Sequence, residues 1–192
     1  MVIEDMSPKL IREEFLSGKA WLERKVHIVA KKARRKLGNA PGRHVRLTYT
    51  DPKKNTWRVW MMAGKKGFNW APFLEYNDRK GHMRVILYSH KSDSIQIFTG
   101  HFFSRFRNRS GVELTDGDVT DKIFLFLALN NNNVPTLSSS NILHIEFPMG
   151  VGLGYSYGEN VHIIKTFITH DMLRGDQINI SNRIQEELSQ AS

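Results

Sequence analysis

The sequence contains no cysteine. That absence excludes a disulfide framework, a thiolate nucleophile and any zinc site built on thiolates, and it is compatible with a reducing compartment. Long hydrophobic runs are missing as well. The longest strongly apolar stretch, Ile123 to Leu129, falls far short of the roughly 20 residues that a bilayer-spanning helix needs. Met1 to Asp5 carry two acids and no basic stretch leading into an apolar one, so no secretory leader is expected. A soluble, cytoplasmic protein with no membrane partner is expected. Neither an internal repeat nor an interdomain linker stands out, and 192 residues suit one sizeable domain.

What is present is positive charge, unevenly placed. The formal net charge is +9; residues 1–60 hold 15 Lys/Arg against 6 Asp/Glu, and the remaining chain holds 13 of each. A basic helical region over 1–42 followed by an α+β body over 43–192 is expected within the single domain 1–192. Clustered cations attract polyanions and steer their approach, so Lys31, Lys32, Arg34 and Arg35 are candidate nucleic-acid contacts. A well-solvated helix is the plainer reading of the same charges.

Ser7-Pro8 is a helix start, with a capping hydroxyl before proline at the first helical position. Apolar residues from Leu10 to Ala33 recur at helical spacing, with Gly18 as a point where the helix divides in two. His44 to Thr50 alternates like a half-buried strand. Thr56–Met62, Met83–Ser89 and Ser94–Thr99 are further predicted strands. The stretch 64–81, rich in Gly, Lys and aromatics, reads as an irregular loop. Its aromatics, with Trp57 and Trp60 before it, are either core anchors or a stacking surface for single-stranded bases. Helices follow over Gly100–Arg109 and Asp116–Asn130, with Asp118 as a cap. Strands are predicted at Ile142–Phe147, Val151–Tyr157 and Val161–Thr169, and a short helix at Ser181–Gln190. The glycines of 150–158 lack the strand-to-helix setting of a dinucleotide site and read as a hairpin with close backbone approach. The predicted class is α+β: an N-terminal helix or helix pair, a mostly antiparallel sheet, two central helices and a short C-terminal helix.

Two segments carry candidate chemistry. On a helix, Ser104, His101, Arg105 and Asn108 share one face, with Arg109 at its edge and Phe102, Phe103 and Phe106 opposite. A histidine and an arginine four apart lie about 5–6 Å from each other at Cβ. Such a pair sets a proton carrier beside a guanidinium that grips phosphate. In the strand around Lys165-Thr166, alternation puts Lys165 on one face and Thr166 on the other. Thr166 is then a phosphate contact, Lys165 a neutralising cation, and His162 or His170 a second proton carrier.

These residues, over roughly 95–175, resemble the barnase–EndoU–colicin–RelE-like group of small ribonuclease toxins. The resemblance rests on the His-x-x-x-Arg-x-x-x-Arg helix, the apolar helix after it, the Gly-rich hairpin and the strand Lys-Thr-Phe-Ile-Thr. It implies metal-independent RNA cleavage without a cofactor, with His101 as acid/base, Arg105 as phosphate clamp, Thr166 as phosphate contact, and an antitoxin protein as a possible partner; Lys165 and Arg109 are further candidate nucleic-acid contacts. The alternatives are a nucleic-acid-binding module without catalysis and an interaction protein with no chemistry.

Overall fold

In a computed structural model the chain divides into two compact units, residues 1–88 and 89–192. The structure describes residues 6–37, 44–64, 67–78, 80–90, 92–111, 119–130, 135–138 and 141–190. The fold is α+β, and among the described residues only one of the strand pairings within the two units is parallel.

The first unit holds α1 (Pro8–Leu37) and the strands β1 (His44–Thr50), β2 (Thr56–Gly64), β3 (Gly67–Asn77) and β4 (Met83–Ser89), which pair in chain order as an antiparallel meander. Helix α1 buries Ile11, Phe15, Leu22 and Val26, a stripe at the spacing that keeps one helical face inward. It is one helix, and Gly18 does not divide it. The glycine lies on the buried stripe because the helix comes close to β2 there. A Cβ at 18 would stand 2.4 Å from Trp57 Cζ2 and 3.3 Å from Asp51 Oδ2. The buried Asp51 ties the β1–β2 turn together, accepting hydrogen bonds from Trp57 Nε1 (3.0 Å), Asn55 N (2.9 Å) and Asn55 Nδ2 (2.8 Å). Burial opposes its charge, but these bonds outweigh burial and hold the carboxyl below the usual range.

Strand β3 corrects the loop expected over 64–81. It pairs with β2 from Gly67 to Glu75, and Phe73 is fully buried, as are Trp57 and, nearly, Trp60. Phe73, Trp57 and Trp60 are core anchors, whereas Trp70 and Tyr76 are half-buried. The side chain of Phe68 and residues 65–66 lie outside the described residues.

The second unit holds β5 (Ser94–Phe98), α2 (Gly100–Arg109), α3 (Val119–Leu129), β6 (Thr136–Leu137), β7 (Leu143–Phe147), β8 (Gly150–Ser156), β9 (Val161–Thr169) and α4 (Asp176–Gln190). Its strands are ordered β5-β9-β8-β7-β6. β5 and β9 are parallel, as two strands joined by a long crossover with helices can be. α2 starts at Thr99, whose hydroxyl accepts from Phe102 N (3.3 Å) and donates to Lys165 O (3.0 Å). Phe102, Phe103 and Phe106 are buried among Phe98, Phe124, Phe147 and Phe167. Each ring enclosed in this way contributes roughly 1.5–3 kcal/mol of transfer free energy, which pins α2 flat on the sheet. α4 begins earlier than expected, at Asp176, and packs on β7. Asp116 and Asp118, the expected start and cap of α3, lie outside the described residues. No described helix is long and apolar enough to cross a membrane.

Candidate nucleic-acid interface

The buried phenylalanines turn the other side of α2 outward, and His101, Ser104, Arg105, Arg107 and Asn108 are all exposed. Arg105 Nε donates to His101 Nε2 across 3.4 Å, a long contact that holds the pair side by side at little energetic gain. Among the described residues neither Arg105 nor Arg107 meets a carboxylate. Arg109 differs. It is half-buried, and its Nη1 donates to Phe167 O across 2.8 Å, so it fastens α2 to β9.

Two pairings fix which way the β9 side chains point. Phe167 lies 4.9 Å from Phe106 and 6.2 Å from Phe102 between ring centres, so it faces α2. Ile164 pairs with Phe98, which lies 4.9 Å from Phe102, so it faces α2 as well. Regular alternation would set residues three apart on opposite faces. The register accounts for the difference: Leu153 pairs with Thr166 but Gly154 pairs with Ile164, which leaves Lys165 as the extra residue of a β-bulge. Gly154 is where the two strands crowd, since a Cβ there would overlap Ile163 O at 1.8 Å.

Thr166, next to Phe167, therefore points away from α2. Lys165 points the same way, its Nζ 4.7 Å from the centre of the Tyr155 ring. The expected alternation of Lys165 against Thr166 is corrected by the bulge, which turns both to one face. The structure brings His101 and Arg105 together and leaves Thr166 and Lys165 across the sheet from them.

The other two histidines considered as proton carriers are engaged elsewhere. His162 is buried, and its Nδ1 lies 2.8 Å from Ser156 Oγ; burial pulls its pKa down. His170 Nε2 lies 3.2 Å from Glu146 Oε2. The side chains of Lys31, Lys32, Arg34 and Arg35, on the second half of α1, lie outside the described residues. Among the described residues no three His, Asp or Glu side chains converge to hold a metal ion. Sequence reasoning passed over Tyr155 and Tyr157, exposed at 38% and 56%. The signal available for them was the Tyr-x-Tyr after the glycines of β8. No protein-family model, no curated protein and no solved structure matches the chain.

Proposed function

We propose that this chain is a nucleic-acid-binding module that holds phosphates on the outer face of α2 and leaves the phosphodiester bonds intact. One observation carries the reading. Residues 89–192 are acidic as a whole, with 8 Lys/Arg and 11 Asp/Glu, yet the exposed Arg105, Arg107 and His101 all fall within ten-residue α2, which has no acid. A local concentration of guanidinium groups on a rigid, exposed helix suits phosphate oxygens, which arginine grips with paired hydrogen bonds. Ser104 and Asn108 add neutral donors on the same face.

Binding is favoured over cleavage because transphosphorylation needs a base for the 2′-hydroxyl and an acid for the leaving oxygen. The outer face of α2 offers one imidazole, and the threonine that would complete the ribonuclease-like set points to the other side of the sheet. In EDTA, labelled RNA is expected to be bound and to remain uncut. Arg105→Gln and Arg107→Gln are each expected to weaken binding uniformly across sequences. RNA cleavage that His101→Ala abolishes would restore the ribonuclease reading, and an absent or salt-independent interaction would remove the binding one.

A further inference from the structure

The bulge at Lys165 gathers a second surface, on the side of the sheet away from α2. Tyr155 pairs with Ile163, the neighbour of the α2-facing Ile164, so Tyr155 points away from α2. Tyr157 N bonds Val161 O across 2.7 Å, which continues the pairing past Ser156 and puts Tyr157 on the side of Tyr155. Residues two apart on an extended chain stand about 6.5–7 Å apart, close to twice the ~3.4 Å rise of stacked bases. One flat base fits that interval between two rings. Lys165 is exposed over the Tyr155 ring, with no carboxylate partner among the described residues. Thr166, half-buried beside it, offers a hydroxyl. Glu159, the one acid of the β8–β9 hairpin, sits in the turn beyond Tyr157.

We infer that this tyrosine pair and Lys165 form a binding surface for single-stranded nucleic acid, with Tyr155 and Tyr157 stacking bases and Lys165 neutralising a phosphate. Bases in a duplex are already stacked on each other and cannot enter between the rings, so the surface discriminates for single strands. Without the bulge, Lys165 would be directed at the buried side of α2. The inference stands apart from α2, whose cations grip phosphates of either form.

The test is fluorescence anisotropy with labelled 15-nucleotide U and dT strands and with a duplex of the same length. Tyr155→Leu and Tyr157→Leu are each expected to lower single-strand affinity about tenfold while leaving duplex affinity unchanged. Tyr155→Phe, which keeps the ring, should bind as the parent does. Lys165→Gln should lower the single-strand salt slope by about 0.7. Thermal melts followed by circular dichroism check that each variant is folded; both tyrosines are at the surface. Single-strand binding that survives both leucine substitutions overturns the inference and leaves the α2 reading standing. Equal weakening for single and double strands also overturns it, because stacking is then not what was lost. If the parent binds neither form, both proposals fall.

Discussion

His144 sits in β7, opposite Leu153, which is itself opposite Thr166. It therefore belongs to the sheet face away from α2, together with Glu146 two residues on. It is fully enclosed, and neither ring nitrogen has a hydrogen-bond partner among the described residues. An imidazole without partners in an apolar layer costs stability, and burial pulls its pKa below the ordinary value. Above about pH 6.5 the ring is neutral in both the folded and the unfolded chain. As pH falls through that value the unfolded chain takes up a proton that the folded one resists. Folding stability then drops by up to roughly 1.4 kcal/mol per pH unit for this group. The buried His162 adds a loss of the same sign. Urea denaturation at pH 7.5 and 5.5 should therefore show a smaller acid loss for His144→Leu than for the parent. Equal losses would mean that His144 takes up its proton in the folded state. Nothing in the sequence marked this residue, because period-two alternation sorts side chains by face and does not say which face is sealed.

At the scale of elements, α1 shows how a local rule yields to packing. Glycine inside a helix costs up to about 1 kcal/mol relative to alanine, which is why Gly18 read as a break. Here the approach of Trp57 within 2.4 Å of any Cβ reverses the preference. Gly18→Ala is expected to destabilise the chain by about 1–3 kcal/mol through overpacking; a higher melting temperature for that variant would contradict this placement of α1. Most elements were legible in the sequence. β1, β4 and β9 match their predicted spans, and α2 matches to the residue, because capping, alternation and the three phenylalanines agree there. β3 was missed since Pro72 and the glycines at 64 and 67 weigh locally against a strand, although pairing with β2 supports one. The face of Thr166 was missed for a related reason. A bulge is a relation between two strands, and the β9 sequence alone carries no mark of the extra residue. The stripe of His101, Ser104, Arg105 and Asn108 was legible, while its separation from Thr166 was not.

At the scale of the whole chain, residues 1–88 carry 20 Lys/Arg against 8 Asp/Glu, and residues 89–192 carry 8 against 11. The first unit therefore carries the excess of cations that a polyanion would meet at long range, and under the proposed function α2 of the second supplies a specific share of the grip. That share is measurable. The most direct test is the slope of log affinity against log salt for duplex binding, compared between the parent and an Arg105→Gln/Arg107→Gln double variant. If both guanidinium groups hold phosphates, the slope should become shallower by about 1.8, with affinity reduced at every salt concentration. An unchanged slope and unchanged affinity would contradict the account and leave the basic first unit as the sole source of binding.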